Sequence, residues 1–109
     1  MSDFHDYQMW TRKYWNDTLD WESQVLHACL GLGSEAGEVL DQIKKPWFSP
    51  RQDVHKTVSR GEVAKELGDV LFYLARLADL FNIPLEQVID TNVGKLEKRY
   101  AASQETKEE

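Results

Sequence analysis

The chain has 109 residues, 41% of them hydrophobic and 29% charged, which is enough for one core and too little for two comfortable domains. A formal net charge of -6 and a pI near 5.0 exclude the basic face that DNA or RNA needs for counterion release. A small polyanion remains compatible with an acidic chain where bound cations reverse the local field.

With six Gly, three Pro and no regular turn punctuation, the chain reads as all-α. Cys29 is the single cysteine; it falls in an apolar helical run and reads as a small core residue. Met1 to His5 lack the cationic and apolar parts of a leader, and no run approaches the ~18 apolar residues of a membrane span. A cytoplasmic protein with no membrane partner is expected.

In chain order, Phe4, Tyr7, Trp10 and Tyr14 repeat at helical steps and define a first helix from about Phe4 to Trp15. Asn16 to Asp20 is a polar turn, and Asp20 is placed to cap a second helix that runs to about Lys44 and stops at Pro46. Its expected buried stripe is Val25, Cys29, Leu32, Ala36, Val39 and Ile43. Residues 46–58 carry two prolines and no period, so a long connecting loop is expected, with Trp47 and Phe48 in it.

Ser59 and Glu62 form a capping-box pattern that opens a third helix, striped by Val63, Leu67, Val70, Leu74, Leu77 and Phe81. Pro84 suits the first turn of a fourth, whose apolar side is Leu85, Ile89, Val93, Leu96 and Tyr100. The domain is expected to span 1–100, and the polar tail 101–109 to fray.

At about 100° per residue, Glu35 and Glu38 lie one turn apart beside the stripe of the second helix. Glu66 and Asp69 repeat the arrangement on the third. Stripe-to-stripe packing brings the four acids to one seam, where each close pair costs on the order of 1–4 kcal/mol. A bound cation is the economical compensation, and oxygen ligands without His or Cys favour Mg²⁺, with Mn²⁺ as a substitute. A lone acid on a helix is usually a solvated face; the paired spacing is what departs from that. Glu62 is sufficiently explained by its cap.

On the fourth helix Asn92, Lys95 and Arg99 share a face that suits phosphate oxygens, although cations near a helix C-terminus also have a plain dipole explanation. Trp47 and Phe48 could stack on a base, with Tyr7, Gln8 and Trp10 closing the other side, if these are not simply core or subunit contacts. His5, His27 and His55 show no triad or zinc spacing.

Together GLGSEAGEV, KELGDVLFYL and TNVGKLEKRY resemble the signature segments of the MazG-like nucleoside triphosphate pyrophosphohydrolases, over about Tyr7 to Tyr100. The resemblance rests on ExxE, a spacer and ExxD, met by Glu35, Glu38, Glu66 and Asp69, and on NxxK, met by Asn92 and Lys95. It implies a four-helix-bundle-type, oligomeric fold, usually a homodimer or homotetramer. It also implies Mg²⁺-dependent cleavage of a (deoxy)nucleoside triphosphate between its α and β phosphorus atoms. Carried over, the four acids bind metal, Lys95 and Arg99 meet the phosphates, and Tyr73 orients the substrate. Ser34 stands where many relatives carry a further acid, which leaves the number of metal ions open. Glu35 or Glu38 is the expected base for the attacking water.

Phosphoribosyl-ATP pyrophosphohydrolase chemistry on the same helical scaffold is an alternative. A carboxylate-bridged di-iron bundle wants Glu-x-x-His pairs that are missing from the sequence. A non-catalytic helical interaction module leaves the carboxylate seam unexplained.

Overall fold

The computed structural model describes residues 3–48 and 58–108, the side chains of Pro46, Phe48 and 102–108 excepted. All its regular elements are helices: α1 (Phe4–Thr11), continued by a 3₁₀ turn at Arg12–Tyr14, then α2 (Trp21–Phe48), α3 (Arg60–Leu80) and α4 (Leu85–Glu108). Among the described residues there is no strand, and no helix is long and apolar enough to cross a membrane.

The helix starts follow the local chemistry of the sequence. Asp3 accepts from the Asp6 amide at 2.7 Å, Asp20 from Ser23 at 2.7 Å and Ser59 from Glu62 at 3.3 Å, each satisfying an orphan donor of a first turn. Glu62 itself pairs with Lys65 at 3.1 Å on the surface.

The turn from α3 to α4 is a Schellman arrangement. Ile83 N donates to Ala78 O at 2.9 Å and Asn82 N to Asp79 O at 3.0 Å. Asn82 takes the left-handed φ of 57° that such a stop requires. The first amide of α4 then gains a cap from another helix: Leu85 N donates to Gln8 Oε1 at 3.1 Å while Gln8 Nε2 donates to Ile83 O at 2.9 Å.

α2 and α3 pair antiparallel. Trp21 Nε1 donates to Leu80 O at 2.8 Å at one end of the seam, and Gly31 lies against Tyr73 in its middle. α1 closes the open side of α3 at a small core of Ala75, Ala78 and Leu85, joined by Tyr7, Leu74, Ile83 and Val88. Beside it Arg76 is buried: it donates to Thr11 Oγ1 at 3.2 Å and Asp79 at 2.8 Å, and its guanidinium lies 5.4 Å from the centre of the Trp15 ring. Arg12 grips the same Asp79 with two hydrogen bonds of 2.8 Å.

Several expectations are corrected. α2 passes through Pro46 to Phe48; a proline this close to a helix end removes one hydrogen bond without stopping the last turn. Of the expected loop, 49–57, His55 included, lies outside the described residues. Cys29, Ala36 and Ile43 are exposed, because the side of α2 that meets α3 carries Ala28, Gly31, Leu32, Glu35 and Val39. On α3 and α4, Leu67, Phe81, Ile89, Val93 and Tyr100 are likewise uncovered in the single chain. α4 continues to Glu108, since the tail residues Ala, Gln, Glu and Lys are strong helix formers with no Gly or Pro among them.

The Arg12 hydrogen bonds, with that of Arg76, hold the Asp79 carboxyl below the usual carboxylate range against the opposing effect of burial. The stability it contributes is therefore present above that range and is lost as pH falls through its lowered pKa. Asp79→Asn is expected to cost roughly 3 kcal/mol by stranding buried Arg76, read as a lower urea midpoint at neutral pH, with the difference from wild type shrinking in acid.

Candidate active site

The α2–α3 pairing is built around an aromatic plug. Tyr73 sits edge-on to Trp15, His27 and Phe72, with centroid distances of 6.3, 6.0 and 5.4 Å, and His27 stacks on Trp15 at 4.5 Å. Its ring fills the place where residue 31 has no Cβ, so any side chain there would overlap it. Gly31 to Glu35 is one turn of α2, and Tyr73 back to Asp69 is one turn of α3. In an antiparallel pair the step from the first contact therefore sets Glu35 opposite Asp69.

There Glu35, Glu66 and Asp69 each offer a carboxylate oxygen, and these atoms lie within 4.8 Å of one another. Glu35 and Glu66 are half-buried and Asp69 is exposed. Partial burial pushes the Glu35 carboxyl above its ordinary range, and the charges of Asp69, Glu66 and Glu38 push it further the same way. Among the described residues no ion pair or side-chain hydrogen bond to a cation reaches the three.

Hard oxygen donors at this separation fit a small divalent cation. Ligand oxygens of an octahedral Mg²⁺ at about 2.1 Å are about 3 Å apart as neighbours and about 4.2 Å apart when opposite, so a modest inward movement completes the set. Glu38, one turn further along α2, is exposed and stands outside the three.

The other sequence-predicted residues are dispersed. Tyr73 is near the carboxylates, but its ring is held in the aromatic plug. Asn92, Lys95 and Arg99 are exposed on α4, which leaves its neighbours early: Leu85 and Val88 pack, whereas from Ile89 to Tyr100 every residue but half-buried Leu96 is exposed. Lys95 and Arg99 make no ion pair among the described residues. Trp47 is half-exposed near the end of α2, roughly 18 Å along the axis from Glu35.

Of the aromatic residues on α1, Tyr7 stands in the field of the site: burial raises its phenol pKa, and Asp69 raises it further. Trp10 stacks on Tyr7 at 5.9 Å and meets Tyr14 at 5.1 Å. Gln8 points away from the site, spent on the α3–α4 turn. Arg76, Asp79 and Thr11, which hold α1 in position, carried no periodic signal because a buried ion pair looks in sequence like surface charge.

The sequence matches the profile of the MazG nucleotide pyrophosphohydrolase domain over residues 24–102. It is also 34% identical over 73 residues to the Gene 37 protein of Mycobacterium phage L5, a stretch that makes up 67% of this chain and 63% of that protein. No solved structure matches significantly.

The raised Glu35 pKa has a stability consequence. Its repulsion is absent in acid, where the carboxyl is protonated, and appears as pH rises through the raised pKa. In chelator at neutral pH, Glu35→Gln is therefore expected to melt above wild type, with the gap closing in acid. Added Mg²⁺ should raise the wild-type Tm and leave the variant's largely unmoved. Separately, Gly31→Ala should lower stability by about 1–3 kcal/mol through overpacking against Tyr73, seen in the same melts.

Proposed function

The chain belongs to the MazG nucleotide pyrophosphohydrolase family, and from that premise we propose that it hydrolyses a (deoxy)nucleoside triphosphate to the monophosphate and pyrophosphate with the help of Mg²⁺. The observation that carries this reading is the meeting of Glu35 from α2 with Glu66 and Asp69 from α3, oxygens within 4.8 Å, with no ion pair to balance them among the described residues. A magnesium ion held there would neutralise phosphate charge and ease deprotonation of the attacking water.

The chain's residues then divide the remaining work. Glu35, Glu66 and Asp69 would hold the cation, Glu35 and Glu66 from half-buried positions and Asp69 from an exposed one. Glu38, exposed and outside the three, stands one turn along α2 from Glu35 and would accept the proton of the attacking water. Asn92, Lys95 and Arg99 bind phosphate oxygens, Arg99 two at a time. The Tyr7–Trp10 stack, beside Asp69, offers an aromatic face for the base. Trp47 is a second face at the far end of α2.

The experiment is Mg²⁺-dependent release of pyrophosphate, distinguished from phosphate, across ribo- and deoxyribonucleoside triphosphates and phosphoribosyl-ATP. Turnover in Mg²⁺ or Mn²⁺ and none in chelator is expected. Glu38→Gln should lower kcat by about 10²–10⁴-fold with the helical circular dichroism unchanged. Wild-type turnover in that variant would remove Glu38 from the mechanism, and phosphate as the product would overturn the reaction itself.

A further inference from the structure

The aromatic face of α1 sits at the edge of the side that this helix buries. At about 100° per residue, Thr11 and Gln8 lie about 40° and 100° round from Tyr7 in one direction, and Trp10 about 60° in the other. Thr11 and Gln8 are 0% and 2% exposed, whereas Tyr7 and Trp10 are half-buried. The two stacked rings therefore stand where the helix surface turns outward. Asp69 acts on the Tyr7 phenol, so the face begins within electrostatic reach of the carboxylates. A ring about 6 Å from the helix axis moves about 2 Å when the helix turns by about 20°. Whatever fixes the rotation of α1 also fixes this face.

Apolar packing fixes it weakly. Tyr7 is the one side chain of α1 in the core around Ala75, Ala78 and Leu85, and Phe4 is exposed. Directional bonds supply the rest. Thr11 Oγ1 accepts from buried Arg76 at 3.2 Å, Arg76 donates to Asp79 at 2.8 Å, and Asp79 accepts two bonds of 2.8 Å from Arg12. Since Thr11 and Arg12 are neighbours in the chain, these four residues close a ring of bonds between the end of α1 and α3. Trp15 pins the chain just beyond, through its 2.9 Å bond to Gln24 and its stack on His27. The ring of bonds is remote from the acids: Asp69 and Asp79 are about 15 Å apart along α3. The register that gathers the acids is set separately, by Tyr73 at Gly31.

We propose that Arg12, Asp79 and Arg76 are positioning residues for the nucleobase: they hold α1 at the rotation that aligns the Tyr7–Trp10 face with a triphosphate bound at the carboxylates. This rests on the triphosphate reading for the identity of the ligand. The clamp acts on affinity more than on chemistry. The base is the remote part of the substrate, so its contacts are alike in the ground and transition states, and loosening them raises KM while leaving kcat in place.

Arg12→Ala is the test substitution, because the Arg12 side chain is 56% exposed and Asp79 keeps its bond to Arg76. KM for a nucleoside triphosphate is expected to rise roughly 3–10-fold, part of the worth of one stacked base, with kcat within about twofold of wild type. The Mg²⁺ concentration at half-maximal rate should stay unchanged. Arg12→Lys, which replaces a two-pronged donor by a point charge, should fall between the two. An unchanged KM overturns the proposal. A parallel shift in Mg²⁺ dependence does so too, since it marks a general loosening of the fold.

The second experiment reads position without catalysis. Mn²⁺ alone, bound at the carboxylates, broadens proton resonances steeply with proximity, and the rings of Tyr7 and Tyr73 are both expected to broaden in the wild type. In Arg12→Ala the broadening of Tyr7 should change, while that of Tyr73, held in the aromatic plug, should not. Equal broadening of Tyr7 in the two proteins overturns the proposal. A wild type in which neither ring broadens refutes the metal site on which the proposal rests. A wild type that releases no pyrophosphate from any triphosphate refutes the reaction, and the Mn²⁺ measurement still decides whether Arg12 places Tyr7.

Discussion

Tyr73 seated over Gly31 fixes the register in which α2 and α3 pair, and that register decides where every other group of the site falls. One turn along the seam from this contact, Glu35 has no choice but to face Glu66 and Asp69. The plug also supplies the free energy that holds the acids together. A buried aromatic contributes about 1.5–3 kcal/mol, and Tyr73, Trp15, His27 and Phe72 interlock at ring distances of 4.5 to 6.4 Å. Carboxylate repulsion at an effective dielectric near 20 is of the order of a few kcal/mol per close pair. The cluster is therefore tolerable in the free protein and distinctly better with a cation.

α1 is held by a different kind of interaction. Arg76 is buried against Trp15, Thr11 and Asp79, and the second arginine on Asp79 reaches across from the 3₁₀ turn after α1. Gln8 completes the attachment by giving and accepting at the α3–α4 turn. These bonds are directional, so they fix the rotation of α1 about its axis as well as its contact with α3. That rotation brings Tyr7 into the field of Asp69 and leaves Trp10 stacked behind it.

The helices and their starts were legible in sequence because capping is local: Asp20 and Ser59 act within three residues of themselves. The ExxE and ExxD spacings were legible for the same reason, since a helix fixes the relation of residues one turn apart. The buried face of α2 was legible only in part: Val25, Leu32 and Val39 of the expected stripe are half-buried, whereas Cys29, Ala36 and Ile43 on its other edge are exposed, because the seating of Tyr73 at Gly31 turns the helix toward Ala28 and Glu35. Nor could spacing show that α4 stands away from the acids. Helical periodicity states which residues share a face, and says nothing of which molecule that face meets. The spread of Pro46 and the polar tail into helix turned on context too, a late position in one case and the lack of any Gly or Pro in the other.

Metal binding and folding are coupled at the carboxylate cluster. The register of α2 and α3 forces Glu35, Glu66 and Asp69 together, and a cation that binds them in the folded chain more tightly than in the unfolded one removes their repulsion and stabilises the fold by mass action. The small core around Ala75, Ala78 and Leu85 need not then carry the whole stability of the protein, which ties the integrity of the site to the integrity of the fold.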